Sequence, residues 1–368
     1  MLNNSGLPIK GIVILNSQVI IISMINGLEI QNFRGIKYCK LEDLSQVNIL
    51  VGRNNSGKST ILEAIYFISS LGKNYDEVRK IQKIDYLIRR RLEERIKEKI
   101  EKSITSITKM NNNIVNLTSP IPILDIDVFS QFFYNFDKNE KIIFNINIDN
   151  FTYFVEVTHK NYNQIELKTN VSDSISEIFK NVVFIDRNLS LSQLYDIIGD
   201  LKREKRKDKE IVKLLKEEFE VDVEGIEFSR YLGGFVLSLT LKDTSIPIDL
   251  LGDGAKLAVL ISSILLYLEG KGIALIEEPE LHEHPGGIYT LLNFAFKIAK
   301  EKGIQLFITT HSSDVIKYSF KIAKEKGLKT QLVYLRKVNG RVNSVNLTEN
   351  NMNLLEEIGM DVRVLDVL

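Results

Sequence analysis

One short stretch of the chain combines glycines, a lysine and hydroxyl side chains at a spacing that suits phosphate chemistry. Glycines let the backbone curl so that consecutive N–H groups point at phosphate oxygens, and a following helix N-terminus adds positive potential. The lysine of such a loop reaches the β- and γ-phosphates, and the next hydroxyl ligates Mg²⁺. The pattern G-x-x-x-x-G-K-[ST] is matched by Gly52, Arg53, Asn54, Asn55, Ser56, Gly57, Lys58, Ser59 and Thr60.

These residues predict a P-loop in which Lys58 contacts the phosphates of ATP and Ser59 binds Mg²⁺. The alternative is a glycine-rich loop that binds nothing. The flanking residues favour the first interpretation, because residues 47–51 form an apolar run typical of a buried strand. From Ile61 to Leu71 apolar residues recur at helical spacing. A strand before the loop and a helix after it are the elements that must position a P-loop.

A second apolar run ends in two acids. Residues 273–276 are hydrophobic, and Glu277 and Glu278 follow directly. In a P-loop site the first acid holds Mg²⁺, directly or through water, and the second polarises the attacking water. Most motifs of this kind begin with Asp, whereas Glu277 is one methylene longer. The alternative is a glutamate-rich surface turn.

Two further motifs suit the same chemistry. His311 follows another apolar run, where it would sense the γ-phosphate or hold the water, although a lone histidine at such a place is more often structural. Gly252, Asp253 and Gly254 open an apolar helix whose N–H groups could receive a phosphate. Since the P-loop already supplies a cradle, this second helix suggests a site that another protomer completes. A plain helix-starting turn is the alternative.

The composition limits the classes to which the chain can belong. Its 368 residues are 44% hydrophobic, enough for one large domain or two medium ones. Lys and Arg total 48, as do Asp and Glu, so contact with nucleic acid would need a local basic patch. The single Cys39 excludes a disulfide within one chain and suits a reducing cytosol. Without an apolar stretch of ~20 residues, the sequence predicts a cytoplasmic protein with no membrane segment.

The segment after the P-loop helix is highly charged. Residues 73–109 are dense in Lys, Arg and Glu, with Ile or Leu at helical intervals, and predict one or two exposed amphipathic helices. Their densest basic spot is Arg89 to Arg91. A solvated helix face and a contact with a DNA backbone both remain open for it.

The rest of the chain alternates between strand and helix patterns. Residues 111–120 are expected to be a polar linker, and residues 121–186 alternate with the period of antiparallel strands. Helices are predicted over residues 189–219, and two strands over residues 221–241. From Leu250 the chain becomes apolar with alternating helices and strands, including a hairpin turn at Asn339-Gly340.

The order of these motifs resembles the ATP-binding-cassette (ABC) ATPases of the RecF/SMC/OLD group. Within it the chain is similar to compact proteins loosely labelled AAA family ATPases. The run from Ile30 to Gly35 resembles that group's opening strand, and the run from Glu278 to Pro285 resembles its E-P-E-L-H-x-H-P stretch. The resemblance covers residues 25–71 and 245–325, and the middle of the chain only by type.

The resemblance implies roles for matching residues. Lys58 and Ser59 would be the P-loop lysine and Mg²⁺ ligand, Glu277 the second metal-site acid, Glu278 the catalytic base and His311 the switch histidine. Residues 252–254 would be the signature that closes on a partner's γ-phosphate, although Gly252 replaces the usual serine. The metal-sensing glutamine has one weak candidate, Gln131.

The fold class expected from this resemblance is α/β: a P-loop NTPase of the ABC/SMC-head type with an antiparallel β-lobe and inserted helices. Residues 1–23 are expected to be an N-terminal extension, and residues 24–368 a single ATPase domain. Residues 24–72 and 245–368 would form the nucleotide-binding core, and residues 73–244 an insertion.

The expected function is ATP binding and hydrolysis coupled to head-to-tail dimer closure, acting on DNA or on a DNA-processing partner in repair or defence. The alternative is a nucleotide-switched scaffold or regulator with negligible turnover, and a transporter cassette is a weaker third hypothesis. The stretch after His311 is too short for the Toprim nuclease domain of OLD proteins. Cutting DNA would therefore need a nuclease or other effector subunit as partner, besides the homodimer.

Overall fold

The structure is a computed structural model. It describes residues 12–15, 18–21, 24–91, 106–111, 114–118, 127, 129–161, 164–171, 178–204, 206–219, 222–281, 284–357 and 361–364. The predicted N-terminal extension lies outside the described residues except for two short strands. His282 and Glu283 of the acidic motif also lie outside them.

Strands β1 to β20 of the described residues are, in chain order, Ile12–Leu15, Gln18–Ile21, Ile25–Phe33, Ile36–Leu41, Val47–Val51, Tyr75–Asp76, Ile81–Gln82, Ser106–Asn111, Ile114–Thr118, Ile142–Ile148, Phe151–Asn161, Gln164–Thr169, Val182–Ile185, Val223–Tyr231, Gly234–Leu241, Ser245–Pro247, Ile273–Glu277, Gln305–Thr309, Thr330–Val338 and Arg341–Leu347.

Helices α1 to α8 of the same residues are Lys58–Ser69, Lys83–Arg89, Tyr195–Arg203, Asp208–Phe219, Asp253–Tyr267, Pro285–Lys302, Ser313–Lys326 and Glu349–Glu357. Short 3₁₀ helices lie at Ser130–Phe132, Tyr134–Phe136, Leu191–Leu194, Ile248–Leu250 and Val362–Val364. Among the helices of the described part of the chain, none has the length and apolar character needed to cross a membrane.

One large sheet organises the molecule. Its thirteen strands follow the order β13-β17-β18-β5-β19-β20-β4-β3-β10-β11-β12-β9-β8. The strands from β13 to β19 pair in parallel, as expected for strands that are linked by helices. This run of five parallel strands ends at the β19–β20 hairpin, which turns at Asn339 and Gly340 as predicted. β20 in turn makes a short parallel pairing with β4.

The antiparallel strands continue the same sheet. β4 pairs with β3, β3 with β10, and β10 with β11 around the predicted turn at Asp149. The predicted β-lobe is therefore present, and it is joined edge to edge to the parallel strands. β13 lies in the stretch predicted as insertion, yet it pairs with β17. The division of the chain into core and insertion stays a prediction.

Both faces of the parallel strands are covered, which is why β5 is buried at every position. Ile49 packs into a core with the apolar faces of α3 to α7. Leu50 points to the opposite face and packs into a second core with α1, α2 and the antiparallel strands. The alternation of neighbouring residues between two cores fixes the register of the strand.

Two predictions for the charged and polar segments were wrong. The predicted linker at residues 111–120 contains β9 and the last residue of β8, and residues 106–109 of β8 lie in the segment predicted as exposed helices. The two strands form a hairpin and extend the sheet through β12. The predicted exposed amphipathic helix around residue 85 is α2, in which the polar Lys83 and Asp85 are buried as well as the apolar residues. Residues 92–105 of that segment lie outside the described residues.

Candidate active site

The P-loop lies between β5 and α1, as the sequence predicts. Gly52 has φ +154°, and a Cβ atom there would lie 2.3 Å from the carbonyl oxygen of Leu335. Gly57 caps α1 with φ 105°, a left-handed conformation that favours glycine. The loop thus runs too close to β19 for a side chain at its first position. Arg53, Asn54 and Asn55 at its tip are exposed.

Lys58 folds back over the loop that precedes it. Its Nζ donates to the carbonyl oxygens of Gly52 at 2.8 Å and Arg53 at 3.0 Å. Burial lowers the pKa of this ammonium group, and the carboxylates of Glu278 and Glu280 act against that shift. The lysine charge is therefore held at the loop with acids nearby.

The sheet order brings the acidic motif and the histidine to the P-loop. Glu277 at the end of β17 is level with Thr309 of β18, and Thr309 is level with Leu50 of β5. The carboxyl ends of these parallel strands meet at one edge of the sheet, where ligands bind in open α/β sheets. His311 and the loop from Gly52 both begin just past this row.

Glu278 and His311 face each other across this edge. Glu278 Oε1 lies 3.7 Å from His311 Nε2, and both side chains are more than a third exposed. Glu278 has a φ of 48°, which is rare for a residue with a side chain. Its N–H donates to the carbonyl oxygen of Thr309 at 3.0 Å, which holds the turn. Strain of this kind is typical of functional sites.

The environment of His311 keeps its imidazole neutral. Burial lowers its pKa, and the Lys58 ammonium lowers it further, while Glu278 and Glu280 act in the opposite direction. Ser312 follows as the N-cap of α7 and accepts from the N–H of Asp314 at 3.2 Å. The cap fixes the point at which the helix begins and so fixes the histidine before it.

Glu280 is a site residue to which the sequence interpretation gave no role. Its Oε1 accepts from the Thr310 hydroxyl and from the His311 N–H, each at 2.7 Å. It therefore ties the acidic turn to the segment that carries the histidine. The third acid of the Glu-Glu-Pro-Glu run was the available signal.

Comparison with known proteins decides the family. The family described as "AAA domain, putative AbiEii toxin, Type IV TA system" matches residues 47–317, the greater part of the chain. This span includes the P-loop, both acids and His311. The chain belongs to this family of AAA-domain ATPases.

Several known proteins are similar to this ATPase. It is 25% identical over 329 residues to an ATP/GTP phosphatase of Helicobacter pylori, covering 80% of this chain and 87% of the relative. Over 60 residues it is 45% identical to the DNA replication and repair protein RecF of Nitrosococcus oceani, 16% of each chain. The SMC head domain from Thermotoga maritima is 15% identical with a TM-score of 0.43, covering 88% of this chain and 98% of that one.

The expected fold class and the resemblance to RecF/SMC-type ABC ATPases are confirmed. The family match and the RecF similarity agree with a P-loop at the carboxyl edge of a mixed α/β sheet. The expectation of an ATPase is confirmed by the same family and by the phosphatase relative. The individual roles of its site residues stay predictions.

The middle residue of the predicted basic spot of the ATPase, Arg90, is not solvated. Arg90 has a side chain only 10% exposed, and it contacts Glu63, Asp186 and Glu277. Arg91 binds Glu63 with its Nε at 2.9 Å. A solvated face and a DNA-backbone contact are both wrong for Arg90, because its guanidinium is already surrounded by carboxylates of its own chain.

Glu63 is the centre of this buried ion pairing. It is fully buried in α1, and Arg34 Nε lies 3.0 Å from its Oε2. Arg90 and Arg91 contact the same carboxylate. Buried charges persist only when they are paired, and these three arginines are the partners of Glu63. No local sequence pattern signals the pairing.

The donor set of the ATPase fits a magnesium ion. Ser59 offers a hydroxyl, Glu277 a carboxylate, and Glu280 Oε2 is a buried oxygen for which the described residues supply no hydrogen bond. Within those residues no group of three or more His, Cys, Asp or Glu side chains would enclose a metal. Mg²⁺ usually takes one or two protein oxygens together with substrate phosphates, which these residues can provide.

The predicted signature begins α5. Gly252 is its N-cap, and Gly252 and Asp253 are exposed. Asp253 lines a cleft of about 520 Å³ together with Glu277 and Glu278 of the same chain. Gln131, the candidate for the metal-sensing glutamine, lies in the 3₁₀ helix Ser130–Phe132. The roles expected of the signature and of Gln131 stay predictions.

Proposed function

We propose that the chain hydrolyses ATP at the edge formed by β5, β17 and β18, in a head-to-tail dimer that acts on DNA or on a DNA-processing partner. The proposal rests on one observation. Glu278 and His311 lie at the same edge of the sheet as the P-loop, and Glu278 Oε1 is 3.7 Å from His311 Nε2. A carboxylate and a neutral imidazole that face one exposed space are suited to hold and polarise an attacking water.

Each residue at this edge has a separate task. The N–H groups of residues 52–60 and the Lys58 ammonium bind the phosphates, and the Ser59 hydroxyl and Glu277 hold Mg²⁺. When it is bound, Mg²⁺ neutralises charge on the phosphates. Glu278 accepts the proton of the attacking water. His311 stays neutral and donates a hydrogen bond to the γ-phosphate or the water.

Dimer closure is supported by the exposure of the signature. Gly252 is the exposed N-cap of α5, and the N–H groups of the helix's first turn follow directly after it. α5 is fifteen residues long, and the N-terminus of such a helix attracts phosphate. A Cβ atom on Gly252 would meet no atom of the described residues within 4 Å. A bulky side chain there should therefore leave the fold intact and obstruct only an approaching protomer.

Mixing two inactive variants tests the dimer. Lys58→Ala removes phosphate binding in its own P-loop, and Gly252→Tyr blocks the signature offered to a partner. In a head-to-tail dimer of one copy of each, both defects fall in one composite site and the other site is intact. With random pairing, the mixture should recover about a quarter of the wild-type rate per chain. A mixture as inactive as its components would contradict composite sites.

Action on DNA is supported by the RecF relative, whose name describes replication and repair, and by cations near the P-loop. Arg53 and Arg336 line one cleft of about 450 Å³, and both are exposed. Turnover should rise several-fold when double-stranded DNA is added, and the rise should shrink with salt because phosphate contacts release counterions. Turnover that DNA leaves unchanged at low salt would contradict this part of the proposal.

A further inference from the structure

Arg90, the C-cap residue of α2, joins carboxylates from separate elements around the site. Its Nε lies 3.1 Å from Glu63 Oε1, and its NH1 lies 3.0 Å from Asp186 Oδ2. Its NH2 donates to Glu277 Oε2 at 2.5 Å. The guanidinium carbon lies 4.4 Å from the centre of the Phe184 ring. One planar cation thus contacts the P-loop helix, the turn after β13 and the end of β17.

The guanidinium is a fixed charge. An arginine guanidinium keeps its proton inside a protein and offers donors only. Arginine also presents its donors in one rigid plane, so contact with several acids fixes their relative positions. The Glu277 carboxylate therefore has one oxygen engaged by Arg90.

We propose that Arg90 is a positioning residue for the metal-site acid. It holds Glu277 Oε2 so that Oε1 is presented to the divalent cation, and through Glu63 it ties this acid to α1. Ser59 lies one helical turn before Glu63, on the same face of α1. Arg90 thereby sets the distance between the two proposed metal ligands. This inference rests on the role proposed for Glu277.

Arg91 provides a matched control. Its Nε and NH2 bind Glu63 at 2.9 and 2.8 Å, and its NH2 lies 3.4 Å from the Thr60 hydroxyl. Its side chain is 43% exposed, whereas that of Arg90 is 10% exposed. Arg91→Ala therefore removes a guanidinium from the same buried acid and leaves the Arg90 contact with Glu277 in place.

The experiment measures the binding of a fluorescent ATP analogue at increasing Mg²⁺ concentrations, in the Glu278→Gln background. Arg90→Lys keeps a positive charge but cannot span three acids, and Arg90→Ala removes the charge. Loss of a residue that orients a metal ligand usually weakens metal affinity about 10–100-fold. The Mg²⁺ midpoint should shift in that range for Arg90→Ala and less for Arg90→Lys. Nucleotide affinity in EDTA should stay unchanged.

The controls separate positioning from folding. Arg91→Ala should shift the Mg²⁺ midpoint by less than about two-fold, in line with a guanidinium that does not touch Glu277. Combined with Glu277→Gln, Arg90→Lys should have no further effect on that midpoint, because the two residues act through one contact. Thermal unfolding of each variant shows which have folded, and Arg90→Lys provides the test if Arg90→Ala does not fold.

The outcomes distinguish this inference from the proposed function. The positioning role would be overturned if Arg90→Lys and Arg91→Ala shifted the Mg²⁺ midpoint by equal amounts. It would also be overturned if Arg90→Lys kept its full effect on that midpoint in the Glu277→Gln background. If Glu277→Gln shifts the Mg²⁺ midpoint and Arg90→Lys does not, the inference fails while the role of Glu277 stands. If Glu277→Gln itself leaves the midpoint unchanged, the role proposed for Glu277 fails.

Discussion

Glu278 Oε1 and His311 Nε2 lie 3.7 Å apart, at the ends of two neighbouring parallel strands. This separation is longer than a direct hydrogen bond, so both groups keep capacity for a third partner. The left-handed turn at Glu278 and the hydrogen bond from His311 N–H to Glu280 hold the two side chains in this relation. The arrangement is suited to orient one water between them.

The protonation of His311 predicts the acid limit of turnover. Burial and the Lys58 charge lower its pKa below the ordinary value near 6.5, so the imidazole is neutral at pH 7 and gains a proton only at lower pH. We expect kcat to be level from pH 8 to 7 and to fall below about pH 6.5. A pH profile of kcat measures this, with His311→Gln as the variant that lacks the group. An acid limb centred at or above pH 7 would contradict the assignment.

The P-loop glycine predicts a contrast between two Gly→Ala changes. At Gly52 a Cβ would lie 2.3 Å from the Leu335 carbonyl oxygen, so Gly52→Ala should cost about 1–3 kcal/mol and weaken ATP binding. At Gly199, inside α3, a Cβ would meet no atom of the structurally described residues within 4 Å, and Gly199→Ala should stabilise the fold by about 0.5–1 kcal/mol. Urea unfolding of both variants gives the comparison. Equal effects would show that the loop does not approach β19 so closely.

A buried lysine predicts an unusual dependence of stability on pH. Lys83 Nζ donates to the Ser69 hydroxyl at 2.9 Å and to the Phe179 carbonyl oxygen at 3.4 Å, and burial lowers its pKa to about 7. Between pH 7 and the ordinary lysine pKa near 10.4 the unfolded chain binds more protons than the folded chain. This group therefore makes the protein more stable as the pH rises through that window.

Replacing Lys83 by methionine should remove that dependence. We expect Lys83→Met to raise the free energy of unfolding at pH 7, with a gain that shrinks toward pH 10, measured by urea unfolding at several pH values. Lys213→Met serves as the control, because the Lys213 side chain is 75% exposed. If wild type and Lys83→Met differ by the same amount at every pH, Lys83 does not titrate in this window.

The elements that carry the site could be predicted because their signals are local. An apolar run, a glycine loop and a helical period are contiguous around Lys58, and the run from Ile273 to Glu278 has the same form. Parallel strands that end in functional residues place them at one edge whatever their exact order. The hairpin turn at Asn339 and Gly340 could also be predicted, because its turn type requires residues of these kinds.

The contacts of Arg90 could not be predicted from the sequence. Its partners Glu63, Asp186 and Glu277 come from distant parts of the chain, and a basic triplet has the same composition whether it is solvated or buried. The strands β8 and β9 were missed for a different reason. Their asparagines and threonines are typical of a linker and give little intrinsic preference for a strand. These residues form strands because β9 pairs with β12 in the sheet.

The most direct test of the account is ATP turnover by wild type and Glu278→Gln, with binding of a fluorescent ATP analogue measured in parallel. Lys58→Ala serves as the control that loses binding. Glu278→Gln should bind the analogue as tightly as wild type. It should hydrolyse ATP at least about 100-fold more slowly, because the base is missing. Wild-type turnover in Glu278→Gln would contradict the assignment of Glu278 and with it the proposed mechanism.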